Sequence, residues 1–200
     1  MVRQTIPAPL NPSSVVLLPR LTVLALVGYA WFLAAHMTVV AGGSDSSGYL
    51  NSARLLAAGR LHADLRVPAE FGPVTAETRE HFTPAGFNHF PGRPHLAPVY
   101  PTGFPLHLAL AGLLFGWEAG PYLVQLAAAL AAVWLSYQVG RGFGLSRPLA
   151  AAGAAILAVF PVFLFTSIQT LSDTLATAWS LAALWTGRRG RQSAAWAAVC

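Results

Sequence analysis

Four long apolar runs divide the 200 residues, and they constrain the fold more than anything else in the chain. They cover 21–41, about 121–140, 148–166 and about 168–187, and a fifth begins at Ser193 and is still apolar at Cys200. A helix needs about 20 apolar residues to cross a hydrocarbon core of roughly 30 Å. The runs therefore predict spanning helices, the third kinked at Pro161. Only 10% of residues are charged and the mean hydropathy is +0.55, against about 25% charged in soluble domains. Disorder needs the opposite balance. The lone cysteine, Cys200, excludes a disulfide scaffold. The expected fold class is all-α: a polytopic transmembrane helix bundle with a long external first loop carrying interfacial amphipathic helices. Chains seldom stop one turn into an apolar segment, so the sequence reads as the N-terminal part of a longer protein.

Arginine placement sets the expected orientation. The net charge of +5 comes from twelve Arg and no Lys against seven acids. Several of these arginines sit in short groups beside apolar runs, which fits membrane orientation better than nucleic-acid binding. Arg3 and Arg20 precede the first run, Arg141 and Arg147 separate the second from the third, and Arg188, Arg189 and Arg191 follow the fourth. All three groups share one side only if the apolar segment 105–117 does not cross. That segment is 13 residues long, about 20 Å as a helix. It is expected to lie at the outer surface. Residues 1–20 then form a cytoplasmic tail, 42–120 one external loop, and 141–147 and 188–192 cytoplasmic loops. The first run is longer than the about 7–15 apolar residues of a signal peptide, so it is expected to be an uncleaved anchor.

The external loop opens with Ser44-Asp45-Ser46-Ser47. Tyr49, Leu50, Ala53, Leu56 and Ala57 then recur at helical spacing up to Gly59, predicting an amphipathic helix over about 46–58. Asp45 has two readings: a helix N-cap, or a carboxylate at the membrane surface that takes a proton or binds a metal. From Arg60 to Pro98 the chain is rich in Pro, Gly and His and reads as loop. His81, His89 and His95 fit no zinc spacing and read as ordinary polar residues. Tyr100-Pro101-Thr102-Gly103-Phe104-Pro105 forces a non-helical lead into 105–117. Gln169, Ser172 and Asp173 stand near the outer end of the fourth run. An acid at a bilayer centre costs about 2.5–3.5 kcal/mol and less near the edge, so Asp173 is either a cap or faces a wet cavity.

The order of these segments resembles the N-terminal half of the C-type (GT-C) membrane glycosyltransferases. The similar branch is the bacterial one, related to protein O-mannosyltransferases and to enzymes that add aminoarabinose to lipid A. The resemblance rests on Ser44-Asp45-Ser46-Ser47-Gly48-Tyr49, Leu56-Ala57-Ala58-Gly59-Arg60 and Tyr100-Pro101-Thr102-Gly103-Phe104-Pro105-Leu106. It continues through Phe115-Gly116, Gly140-Arg141-Gly142-Phe143-Gly144, Phe160-Pro161-Val162-Phe163-Leu164-Phe165 and Gln169-Thr170-Leu171-Ser172-Asp173. It implies a many-helix bundle that moves a sugar from a polyprenyl-phosphate donor on the outer face. The family's essential carboxylate matches Asp45, and a second acid matches Asp173. Three departures stand out. Ser46 follows Asp45 where relatives often carry a second acid, Tyr-Pro-Thr-Gly replaces Tyr-Pro-Pro-Gly, and there is no Lys to meet a lipid phosphate. Arg54, Arg60 or Arg93, or an arginine in the part of the protein beyond this sequence, would have to meet it.

The expected activity is glycosyl transfer to an acceptor hydroxyl, in a bacterial cytoplasmic membrane, with the N-terminus inside. Asp45 would be general base or metal ligand, and Asp173 would orient hydroxyls. Tyr49, Arg54, Tyr100, Gln169 and Ser172 are the expected substrate-binding residues. The expected partners are the lipid-linked sugar donor, membrane lipids and a lipid, glycan or protein acceptor, with no nucleic acid. A divalent metal stays open as cofactor, since one carboxylate holds such an ion poorly. Two other classes compete: a non-catalytic membrane assembly protein, in which both aspartates are caps, and a transporter. The spans hold few of the midplane polar groups a transporter uses.

Overall fold

The computed structural model describes residues 12–38, 40–89 and 95–197. The start of the tail, Arg93 and the last three residues of the fifth run lie outside them. Within them the chain forms eight α-helices and one small sheet. The helices are α1 (Pro12–His36), α2 (Ser44–Ala57), α3 (Ala76–Phe82), α4 (Gly103–Phe115), α5 (Gly120–Gly142), α6 (Arg147–Val159), α7 (Pro161–Ser167) and α8 (Ser172–Ala197).

The all-α, polytopic expectation is overturned on two counts. First, the stretch read as Pro-, Gly- and His-rich loop builds a three-stranded sheet, β1 (Ala63–Asp64), β2 (Phe87–His89) and β3 (His95–Pro98), in the order β1-β3-β2. Both pairings are antiparallel, with Asp64 opposite His95 and His89 opposite Leu96. Strands this short carry too few alternating residues to register as a pattern. What holds them is tertiary: Phe87 and Leu96 are buried, and the Asp64 carboxylate accepts from His95 and Arg60 at 3.0 and 2.9 Å. α3 in the same stretch is closed by a capping box, with Thr75 and Thr78 exchanging backbone-to-hydroxyl bonds.

Second, among the described residues only α5 is long and apolar enough on its own to cross a membrane. Its 23 residues reach about 35 Å. The third run passes the same test only as a bent pair, a broken span or a re-entrant loop, with its break at the expected Pro161. Pro161 removes an N–H and pushes Phe160 out of helical geometry, to ψ 125°, so α6 and α7 meet at a 61° bend. Val23–His36 within α1 and Gly103–Phe115 (α4) are apolar helical segments too short to cross by themselves. The fourth run does not end in a loop at 188–192. α8 starts at Ser172 and continues through those arginines to Ala197. Arginine is a good helix former, and two of these have work to do in the helix. The Arg188 guanidinium lies 4.3 Å from the Phe143 ring and donates to the Gly142 carbonyl at the C-terminus of α5, while Arg189 stacks 4.0 Å over Trp185.

α5 is the axis of the helical layer, packing on α1, α4, α6 and α8. Small residues make this feasible. Ala129, Ala132, Ala154, Ala158 and Ala178 surround Leu33, Val133 and Phe163 in one core, letting backbones approach as closely as in membrane bundles. A second core joins α2 to α4 through Tyr49, Ala53, Phe104, Leu108 and Ala109. Large apolar side chains stay on the outside, among them Leu24, Trp31, Leu110, Ile156 and Phe165. Patches of that kind mark a surface made for lipid or protein rather than water.

The α4–α5 corner depends on a glycine. A Cβ on Gly120 would sit 2.6 Å from the Ala111 backbone carbonyl and 2.7 Å from the Gly112 nitrogen. Neither atom can rotate away. Gly153, in the middle of α6, faces nothing within 4 Å. We expect Gly120→Ala to destabilise the protein by about 1–3 kcal/mol and Gly153→Ala to stabilise it by about 0.5–1 kcal/mol. Thermal unfolding of the two variants in detergent should move in opposite directions.

Candidate functional site

Asp45 is not a cap. Gly43 occupies the N-cap position of α2, with no side-chain cap bond, and Asp45 lies in the first turn. There the carboxylate benefits from the positive end of the helix dipole. Its Oδ1 accepts from the Tyr100 hydroxyl at 2.5 Å and from the Ser44 hydroxyl at 3.2 Å. Asp45 is exposed, and Oδ2 accepts nothing among the described residues. One oxygen is thus fixed while the other faces outward.

Tyr100 reaches Asp45 because two glycines let the chain in. Gly86, with φ +86°, lies against Gly48 of α2. A Cβ on Gly86 would come within 2.4 Å of the Gly48 Cα, and a Cβ on Gly48 would meet the Tyr100 ring at 2.4 Å. With both side chains absent, the segment around Gly86 seats on α2, and the Val99 amide donates to the Gly86 carbonyl at 3.0 Å. The Tyr100 ring then packs 4.6 Å from that of Tyr49, which meets Phe104 edge-on at 5.1 Å.

Tyr49 carries the connection to the helical layer. It is buried, and its hydroxyl pairs with the Ser172 hydroxyl at 2.9 Å, at the first residue of α8. Burying a tyrosine without a partner for its hydroxyl is costly, so the pair fixes α2 against α8. Gln169 stands beside the start of α2: its Oε1 is 3.2 Å from where a Cβ of Gly42 would be. The turn carrying Gln169 and Ser172 is itself held by Gln125 of α5. The Gln125 amide nitrogen donates to the carbonyls of Thr166 and Leu171 at 3.0 and 3.1 Å, and to that of Gln169. The Thr38 amide, just after α1, donates to the Ile168 carbonyl at 3.0 Å.

The structure therefore gathers five of the seven expected site residues: Asp45, Tyr49, Tyr100, Gln169 and Ser172. Asp173 is exposed on the first turn of α8, next to Ser172. It shares no hydrogen bond with Asp45; the two connect only through Tyr100, Tyr49 and Ser172. Arg54 is not part of the cluster. It lies nine residues further along α2, about 13 Å by helical rise, stacked 5.6 Å over Trp117. No three His, Cys, Asp or Glu side chains converge among the described residues, so the divalent-ion expectation finds no ligand set there. His81, His89 and His95 separate: His89 bonds Thr83 at 2.5 Å, His95 bonds Asp64, and His81 stands 4.0 Å from Glu77.

Sequence reasoning missed Gln125, Gly48 and Gly86. Gln125 carried a signal: it is an amide in the middle of an alanine-rich apolar run, where a polar side chain needs a partner. The glycine pair carried none, because a contact between residues 48 and 86 is invisible before folding. Compared with protein-family models, curated proteins and solved structures, the chain matches none.

Two titrations report on this layer. The hydrogen bond to Asp45 is the largest cause holding the Tyr100 phenol above its ordinary value of 10.0, with burial adding to it. The protonated phenol is the form that the fold favours. The stability this bond contributes is complete below about pH 10 and is lost as pH climbs through the raised value. His95 first, and Arg60 after it, hold Asp64 below the usual carboxylate value of 3.8. Its contribution is present above that value and lost as pH falls through the lowered one. We expect Asp45→Asn to bring the Tyr100 titration back toward 10, read by tyrosinate absorbance against a Tyr100→Phe reference. An unchanged titration would mean that the Asp45–Tyr100 bond does not form in solution.

Proposed function

We propose that this protein is a membrane glycosyltransferase that moves a sugar from a polyprenyl-phosphate donor to an acceptor hydroxyl. The observation that carries the reading is the Asp45 carboxylate, with one oxygen tied to Tyr100 and Ser44 and the other open. The ordered motifs that resemble the GT-C enzymes support it, since Asp45 and Tyr100 belong to two of them.

In this reading the acceptor hydroxyl approaches Asp45 Oδ2 and gives up its proton to it as its oxygen attacks the anomeric carbon. The bond from that carbon to the phosphate oxygen breaks, and the polyprenyl phosphate leaves with the electron pair. An alcohol attacks poorly until a base accepts its proton, and a positioned carboxylate contributes about 10²–10⁴-fold. Tyr100 and Ser44 hold the base in one orientation. Asp173, exposed beside Ser172, is placed to orient sugar or acceptor hydroxyls rather than to share the proton.

One helix, α5, is long and apolar enough to span a membrane. The finer placement is part of the proposal: a bacterial cytoplasmic membrane, with 42–120 on the outer face and the N-terminal tail inside. The exposed apolar side chains of α1, α4, α6 and α7 support lipid contact, and the prenyl chain of the donor would share that phase.

The reading makes a direct demand on the protein in its native membrane. Asp45→Asn should lower sugar transfer from a synthetic polyprenyl-phosphate sugar by about 10²–10⁴-fold, while Tyr100→Phe, which only loosens the base, should lower it less. Transfer at the wild-type rate in Asp45→Asn would remove the base assignment. Transfer that no substitution at Asp45, Tyr100 or Asp173 affects would remove the site.

A further inference from the structure

A cavity of about 550 Å³ opens beside the C-terminal half of α2, within the roughly 300–1,000 Å³ of ordinary ligand sites. Its wall carries three arginines, Arg54, Arg60 and Arg66, and a single carboxylate, Asp64. That carboxylate is already shared between Arg60 and His95, at 2.9 and 3.0 Å. No acid pairs with Arg54 or Arg66 among the described residues. Near the end of α2 the carbonyls of Arg54, Leu55 and Leu56 accept from the amides of Ala58, Gly59 and Arg60, not from these guanidiniums. The floor is apolar, with Phe87 and Leu96 buried beneath it. An apolar floor under like charges focuses their field into the cavity, and those charges repel one another until an anion enters. Arg54 is held in place by its stacking on Trp117, so less ordering is needed when a ligand arrives. Asn51 adds a neutral amide at the edge.

We infer that this cavity is an oxyanion site for a phosphate-class group, bound between Arg54 and Arg66 with Arg60 at its side. It does not rest on the transfer reading, whose base, Asp45, lies in the first turn of α2, at its opposite end. The geometry suits a phosphomonoester, whose two charges answer the two unpaired guanidiniums. Such a group is carried by a soluble phosphate or by a lipid headgroup.

The test uses the whole chain in detergent for one source and in nanodiscs for the other. Calorimetry with inorganic phosphate and glycerol 3-phosphate reads the soluble source. Nanodiscs of phosphatidic acid in phosphatidylcholine, against phosphatidylcholine alone, read the lipid source through protection of arginines from phenylglyoxal. We expect saturable binding in one arm, weakening with salt, and a loss of about tenfold, or 1.4 kcal/mol, in each of Arg54→Gln and Arg66→Gln. Arg147→Gln, which removes the same charge from α6, should leave binding unchanged. In the unsubstituted protein, phosphate or phosphatidic acid should protect Arg54 and Arg66 before Arg147, a readout independent of how the variants fold. Binding in neither arm, or equal losses in Arg54→Gln and Arg147→Gln, would overturn the site. Either outcome leaves the role of Asp45 in sugar transfer to be judged by its own variants.

Discussion

The buried carboxamide of Gln125 decides how the two layers of this protein meet. Where α7 ends and α8 begins, the carbonyls of Thr166, Gln169 and Leu171 all turn toward α5. Helix-terminal carbonyls lack intrahelical partners, and in an apolar surrounding each unsatisfied group costs several kcal/mol. The two N–H groups of one amide are shared among the three, and the Gln169 carbonyl also accepts from the Leu171 amide at 2.9 Å. The arrangement fixes the amide's orientation, since only its N–H side can face carbonyls, and leaves Oε1 buried without a partner. The turn that presents Gln169 and Ser172 is thereby indexed to the axis of the bundle. Beside it, the Thr174 hydroxyl donates to that of Thr166 and pairs with that of Ser167, and the Thr166 hydroxyl donates on to the Phe163 carbonyl. Ser172 then has a fixed position from which to meet Tyr49.

From that point the outer layer follows by close contact. Tyr49 anchors α2 to α8, and the Gly48–Gly86 approach seats the segment before β2 on α2. Tyr100, at the end of the same region, closes over Asp45. The chemistry of the carboxylate is therefore a consequence of two absent side chains and one buried phenol. This also explains why Asp45 does not act as a cap: the nearest donors are side-chain hydroxyls, and Gly43 already takes the cap position.

The apolar runs made much of the helical content legible, because a run of Ala, Leu and Val with good helix propensity has few other ways to satisfy its backbone. Pro161 also announced itself, since a proline disfavours helical geometry at the residue before it. The same runs misled on topology. Hydropathy cannot see that α6 and α7 bend apart by 61° or that Arg188 and Arg189 extend α8 by packing on aromatic rings. Nor could the polar stretch reveal its sheet, because β1, β2 and β3 have only 2, 3 and 4 residues.

By itself, then, the sequence determined that this chain is rich in apolar helix and which acids, aromatics and amides were worth attention. These properties are local: they depend on composition and spacing within about twenty residues. Tertiary structure alone decided that Asp45 meets Tyr100 across 55 positions and that Tyr49 meets Ser172 across 123, while Arg54 faces a separate cavity. Those contacts depend on where backbones approach closely enough for a glycine pair or a single carboxamide to join them, and no local pattern carries that distance.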